Sequence, residues 1–343
     1  MGDIIKIKVV SDELRGFPNG VGESVLRDDC LFMNDAWTKD YDWMVVYDDF
    51  PRGDVGTIVR EKELLACPRE RTILVTAEPP SIKIYSSPFT RQFGYVLTTH
   101  PAWCLPHRGY RLGRGCLRWM AGYDLEESLS MPDYPKDRTI SAVCSAKQQK
   151  HTQHFRRYTL IKYLQDHLDD MVWYGWGVKN LDHKYDALNR YKYHIAVENY
   201  INDYHWSDKI SDPFLGLCLP FYAGDPRIGE IFPEDSYIPI PIDDPPEALR
   251  IIRAAIANNE YEKRLPAIRE ARRILVEKYN FWQQVVDLIH DHMASPKAQQ
   301  DKVKPNFVFK GRHALRWNPL NLCIEGFEIA RYKLFALASS KKY

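Results

Sequence analysis

The sequence predicts an α/β fold made of two successive units of alternating strand and helix, and three observations predict it. Short β-branched and aromatic runs bounded by turn residues recur in the first third, at Ile4 to Val10, Trp43 to Tyr47, Ile73 to Thr76 and Tyr95 to Thr98. Runs of this length, separated by long connections, suit strands buried on both faces of a parallel sheet. A second alternation follows, with Thr139 to Val143 as strand, Thr152 to Leu168 as helix, and Met171 to Tyr174 as strand backed by Gly175. Between the two lies LEESLSMPDYPKDR, Leu125 to Arg138, a polar stretch with two prolines where a domain linker is expected.

The remaining elements follow in order. Gly53 to Arg69 reads as helix-like, with Arg60 to Ala66 as its core, and Pro246 to Asn258 and Tyr261 to Ile289 have helical apolar spacing. Phe327 to Phe335 reads as an amphipathic helix packing back across the domains. The expected division is an amino-terminal domain over residues 1–130, a second domain over 138–290, and a tail over 291–343. A chain of 343 residues suits two domains of ordinary size.

Composition narrows the classes of function. Lysine and arginine number 47 against 46 acids, so the basic excess of a general nucleic-acid binder is missing. The seven cysteines form no C-x-x-C pair and their number is odd, which fits a reduced, cytoplasmic chain better than a disulfide framework. MGDIIKIKVV reads as a first strand rather than a leader, and no run approaches the roughly 20 apolar residues of a membrane span.

Tyr191 to Pro226 carries the most chemistry. It reads as a strand ending at Glu198-Asn199, a polar loop, a helix opening near Ser207-Asp208-Lys209, an apolar strand from Leu217 to Tyr222, and a Gly224-Asp225-Pro226 turn. Polar groups at a strand's carboxyl end and a helix's amino end are where an open α/β sheet binds nucleotides and where backbone amides attract phosphate. Pro213 leaves two options for that helix. With Ser207 as its cap the proline falls in the second turn and kinks it; with Ser211 as the cap it falls in the first turn at little cost.

These blocks resemble the signature of the family 10 glycosyltransferases, the α-1,3/1,4-fucosyltransferases. The counterparts of its motifs are Tyr191-Lys192-Tyr193, Val197-Glu198-Asn199, His205-Trp206-Ser207-Asp208-Lys209, Gly216 to Pro220 and Gly224-Asp225-Pro226, within a resemblance that covers roughly residues 138 to 283. The resemblance implies a GT-B fold, two Rossmann-like domains facing a cleft, and an inverting, metal-independent transfer of fucose from GDP-fucose to a glycan or glycolipid hydroxyl. It also implies that Arg156, in HFRRYTLIKYL, reaches the diphosphate, with Arg157 beside it as the competing register. Glu78, in ILVTAEPPS, aligns with the family's catalytic base.

The chemistry suits those residues. Lys209 and Arg156 supply fixed positive charge for a departing diphosphate, a guanidinium binding two phosphate oxygens at once. Glu198, Asn199 and Asp208 suit ribose and sugar hydroxyls, and Ser207 and His205 complete the donor set. His205 stands where the family has tyrosine and Asp208 where it has glutamate, so another GDP-deoxysugar stays open; Tyr200 after Glu198-Asn199, where the family has serine, and Ala77, where it has glycine, leave open a binding protein without catalysis. No metal and no cofactor beyond the donor is expected, since the Asp-x-Asp match, Asp40-Tyr41-Asp42, stands before a strand rather than after one. His100, Cys104 and His107, like His151 and His154, have no common zinc spacing and are expected to be structural. A peripheral membrane contact through the tail is a further expected partner.

Overall fold

The structure, a computed structural model, describes residues 3–11, 24–35, 37–51, 62–121, 128, 130, 132–149, 153–296, 298, 301 and 307–339. The chain divides into two compact units, residues 1–116 with 282–343, and residues 117–281. The first unit thus ends before the polar stretch at 125–138, and the chain from Trp282 onward groups with it.

The first unit is built on β1 (Ile5–Ser11), β2 (Ser24–Arg27), β3 (Cys30–Met33), β4 (Trp43–Tyr47), β5 (Lys62–Leu64), β6 (Thr72–Val75), β7 (Tyr95–Thr98) and β8 (Tyr110–Leu112). Seven of these form one sheet in the order β2-β3-β1-β4-β6-β7-β8. All neighbours run parallel except β2 with β3. Every residue of β4, β6 and β7 is buried, which is why these strands read as unbroken apolar runs rather than alternating ones. Helix α1 (Ser87–Thr90) follows β6.

The second unit holds β9 (Arg138–Val143), α2 (His154–His167), β10 (Met171–Tyr174), β11 (Tyr191–Val197), α3 (Asp208–Leu215), β12 (Leu219–Ala223), β13 (Ile238–Pro239), α4 (Pro245–Ala257) and α5 (Glu260–Glu277). Its five strands are all parallel, in the order β10-β9-β11-β12-β13. This is a doubly wound order, and the chain reverses direction across the sheet between β9 and β11. Both units are therefore parallel-sheet and Rossmann-like, as the sequence predicts.

The chain ends with α6 (Phe281–Met293), β14 (Val308–Lys310), α7 (Arg312–Arg316) and α8 (Pro319–Ser339). The expected tail helix lies within α8. Among the described residues no helix is long and apolar enough to cross a membrane.

One expectation is corrected. The segment from Arg60 to Ala66 is no helix core: residues 52–61 lie outside the described residues, and Lys62–Leu64 is a strand paired antiparallel with β14. Its middle residue, Glu63, is buried and bound by Lys8 Nζ at 3.0 Å and by Lys39 Nζ, contacts that favour the extended form over local helix propensity. The helical pattern from Tyr261 to Ile289 is borne out as two helices, α5 and α6. It breaks at Asn280, buried, whose Nδ2 donates to the Val276 carbonyl at 2.8 Å and so satisfies an orphan carbonyl at the end of α5.

Candidate functional site

In the second unit the switch point between β9 and β11 gathers the site. Gly175 sets its floor: its φ is +138°, and a Cβ there would stand 2.3 Å from the Cys144 carbonyl oxygen. Only glycine lets the turn after β10 pack on the carboxyl end of β9. Cys144 is held there by its N–H on Tyr174 O at 2.9 Å and by Trp173 Nε1 on its carbonyl at 2.7 Å.

The two adjacent arginines of α2 separate. Arg156 faces out, its Nε donating to Asp243 Oδ1 at 2.5 Å and its Nη1 to Gln153 Oε1 at 2.9 Å, with the Asp243 carboxylate itself largely exposed. Arg157 is buried, and its charge acts on the Cys144 thiol at the carboxyl end of β9. Its Nε has no hydrogen-bond partner among the described residues. Burial pushes that thiol above its ordinary range, against the pull of Arg157 and of the nearby Lys209 ammonium. Arg157 shares a helix face with Leu160, Ile161 and Leu164, all buried. That helical spacing is the signal that distinguishes it from Arg156 in the sequence.

Glu198 follows β11 and is fully buried. Its Oε1 accepts the Ser207 N–H at 2.9 Å and its Oε2 the Ser207 hydroxyl at 2.6 Å. Burial raises its carboxyl above the ordinary value, while the Lys209 charge and the two Ser207 bonds pull it down. Gly224 is required beside it, because a Cβ there would meet the Tyr222 hydroxyl at 2.1 Å and Glu198 Cγ at 2.7 Å. Asn199 is half-buried in the loop beyond. His205 is buried, with its ring edge-on to Tyr200 at 5.3 Å.

Ser207 is the cap of α3, its side chain accepting from the Lys209 N–H at 3.4 Å. Pro213 therefore sits inside the helix, and the chain ends that helix two residues later. Lys209 Nζ lies 3.2 Å from Ser207 Oγ and 3.1 Å from Asp208 Oδ1. Asp208 also accepts from Lys184 Nζ at 2.6 Å, and the same ammonium lies 2.7 Å from Asp212, one turn further along α3. Burial works against ionising Asp208, yet the two lysines hold its carboxyl well below the ordinary range. Asp212 goes the other way, lifted by burial to about 6. Lys184 is a member of this cluster that sequence spacing did not reveal.

In the first unit Glu78 follows β6 on the carboxyl-end side of the sheet, half-buried. Its backbone is gripped from both sides: the N–H donates to the Tyr85 hydroxyl at 3.3 Å, and the carbonyl lies 2.8 Å from His100 Nε2. Tyr85 in turn donates to Asp48, whose other oxygen is 2.6 Å from Lys83 Nζ. Burial lowers the His100 pKa to about 4, so the ring is neutral and donates to that carbonyl from Nε2. Asp40 and Asp42, just before β4 at its amino-terminal end, are tied to Lys6: Asp42 accepts its N–H at 2.8 Å and Asp40 its ammonium at 2.5 Å. His107 accepts the Gly109 N–H at 3.0 Å, and His151 lies outside the described residues.

One group of possible metal ligands occurs among the described residues, Asp29, Cys30 and His290. His290 Nε2 already pairs with Asp29 Oδ1 at 2.8 Å, and burial pushes the Cys30 thiol up to about 12.

Fold and site together define a doubly wound α/β chain with cations at the switch point of its second sheet. No family model and no curated protein matches the sequence. Among solved structures it is similar to an α1,3-fucosyltransferase with GDP, at 14% identity, a TM-score of 0.44, and coverage of 82% of this chain and 92% of that one. It is similar to an α1,3-fucosyltransferase with GDP-fucose, at 13% identity, a TM-score of 0.47, and coverage of 86% and 92%. An α-glucosyltransferase in complex with UDP and a 13-mer DNA containing an HMU base matches at 10% identity, a TM-score of 0.48, and coverage of 84% and 100%.

Proposed function

We propose that this chain is an inverting, metal-independent glycosyltransferase that binds a GDP-sugar, GDP-fucose foremost, on its second unit and transfers the sugar to a glycan or glycolipid hydroxyl. One observation carries the reading. Arg157 is buried with an Nε that has no hydrogen-bond partner among the described residues, and the Lys209 ammonium stands 3.2 Å from Ser207 Oγ, itself bonded to Glu198 at the carboxyl end of β11, next to the switch point where a doubly wound sheet takes its ligand. Two fixed cations there suit a diphosphate, and the motif order from Tyr191 to Pro226 supports a sugar attached to it.

In this reading the acceptor oxygen forms its bond to the anomeric carbon as the bond from that carbon to the diphosphate oxygen breaks, and configuration inverts. The negative charge that accumulates on the leaving diphosphate falls to Arg157 and Lys209. Glu78 takes the acceptor's proton, and the grip of Tyr85 and His100 on its backbone fixes where that carboxylate starts. Arg156, which the sequence resemblance favours for the phosphate, is already engaged with Asp243.

Thermal shift with nucleotides in a chelating buffer tests the donor. GDP should raise the melting temperature more than UDP, and Glu78→Gln should keep that shift while losing transfer in a donor panel. Equal shifts from all nucleotides, or none, would remove the donor assignment. A Glu78→Gln protein with full transfer would remove the base.

A further inference from the structure

A tight turn in the first unit sets a carboxylate and a thiol side by side. Asp28 and Asp29 alone join β2 to β3, with Arg27 opposite Cys30 in the antiparallel register. So short a connection needs left-handed backbone, and Asp28 supplies it with a φ of +52°. The Asp29 carbonyl accepts the Ile5 N–H at 2.8 Å, which ties the turn to β1. Cys30 is buried and in no disulfide, and its Sγ lies 3.6 Å from Asp29 Oδ1.

Helix α6 brings an imidazole to the same place. Near its end His292 is buried, with Nδ1 2.8 Å from the Tyr95 hydroxyl and Nε2 3.1 Å from Asp301 Oδ2. Two residues earlier the helix faces the other way, at roughly 100° per residue, and His290 Nε2 meets Asp29 Oδ1 at 2.8 Å. The hairpin is braced on the same helix two turns back, where Arg27 Nε donates to Gln283 Oε1 at 2.7 Å.

We propose that Asp29, Cys30 and His290 form a zinc site that clips α6 to the β2–β3 turn, with water completing the coordination. Their ligand atoms all lie within 4.8 Å of one another. A tetrahedral zinc ion with ordinary bond lengths holds its ligand atoms roughly 3.3–3.6 Å apart. Cys30 Sγ and Asp29 Oδ1 already stand at that separation, and the His290–Asp29 pair has to open by about half an ångström. Both of those side chains are 45% exposed, which gives them room to shift and gives an ion its way in. Sulfur and imidazole together select zinc over magnesium or calcium. The thiol releases its proton to solvent as the metal–sulfur bond forms, and one thiolate with one carboxylate balances the ion's double charge. None of the three residues is among those given to the donor or the acceptor, so the clip is separate from the transfer chemistry.

The test uses the full chain in a Cys323→Ser background, which removes an exposed cysteine, after chelation and dialysis. Zinc should bind as a single equivalent and raise the melting temperature, whereas magnesium and calcium at the same concentration should leave it unchanged. Cobalt in zinc's place should show the near-ultraviolet charge-transfer band of a metal–thiolate bond, and Cys30→Ser should abolish that band. His290→Gln changes an exposed position, so its metal-free melting curve should match the parent, while its zinc affinity should fall by about tenfold or more. Absence of a zinc-dependent shift, the same shift with magnesium, or unchanged zinc affinity in His290→Gln would each overturn the proposal. The readout needs no nucleotide, so it stands or falls apart from the transferase reading.

Discussion

Replacing Arg157 and Arg156 one at a time separates the buried guanidinium from its neighbour on the surface. Arg157 is buried, with an Nε that has no partner among the described residues, so donor capacity is left for a ligand. A guanidinium that grips two phosphate oxygens makes charge-assisted hydrogen bonds whose loss costs about 1.5–3 kcal/mol each. Arg157→Met should therefore weaken GDP binding by about 3 kcal/mol or more, on the order of a hundredfold or greater in Kd. Arg156 is paired with Asp243 where both side chains are largely solvated, and such pairs contribute about 0–1 kcal/mol. Arg156→Ala should change Kd by less than about fivefold. Titration calorimetry with GDP reads both, and a melting curve for each variant shows that the fold survives. Arg157→Lys keeps the charge without the fork and should fall between parent and Arg157→Met. A loss of GDP affinity in Arg156→Ala equal to or larger than that in Arg157→Met would refute the reasoning, because it would place the phosphate on the outer face of α2.

Gly175→Ala should destabilise the second unit by about 2 kcal/mol or more, since the backbone is at a positive φ and the new Cβ meets the Cys144 carbonyl; a lowered urea midpoint with unchanged slope checks it, and a neutral result would mean the turn relaxes freely. His100, buried with a pKa near 4 against an unfolded value near 6.5, is neutral in the fold and must gain a proton when the chain unfolds in acid. Its contribution is present above the unfolded pKa and is lost as pH falls from about 6.5 through 4, on the order of 3 kcal/mol at most. His100→Gln, which can still donate to the Glu78 carbonyl, should flatten that part of the melting-temperature profile between pH 6.5 and 4 and leave the profile above pH 7 unchanged.

The sheets were legible because parallel strands buried on both faces are contiguous apolar runs. Trp43 to Tyr47 and Met171 to Tyr174 coincide with β4 and β10 to the residue. The strand at Lys62–Leu64 was not, because its partner β14 lies more than 240 residues away and its buried Glu63 is held by Lys8 and Lys39. No local pattern encodes a contact of that range. At the site, motif register pointed to Arg156, whereas helix periodicity places Arg157 on the buried face with Leu160, Ile161 and Leu164. Along α8 the helix itself was readable and its orientation, with Glu325 buried and Phe327 and Leu334 exposed, was not, since amphipathic spacing reports two faces without saying which one the protein covers.

The acids expected to hold the donor's hydroxyls are already committed within the second unit. Both oxygens of Glu198 accept from Ser207, which caps α3, and Asp208 is bound by Lys184 and Lys209. In the transferase reading each acid also sets the position of the helix start and of the Lys209 ammonium. The Glu198–Ser207 bonds close the loop from 199 to 206 at both ends, and that loop carries Asn199, Tyr200 and His205. In the transferase reading, recognition of the donor sugar then falls to this loop, anchored by the same bonds that set the cations. The departures from the family signature lie in and beside it, with Tyr200 and His205 inside and Asp208 just past its end. A change of donor sugar would thus be written in residues 199–206, while diphosphate binding by Arg157 and Lys209 stays the same.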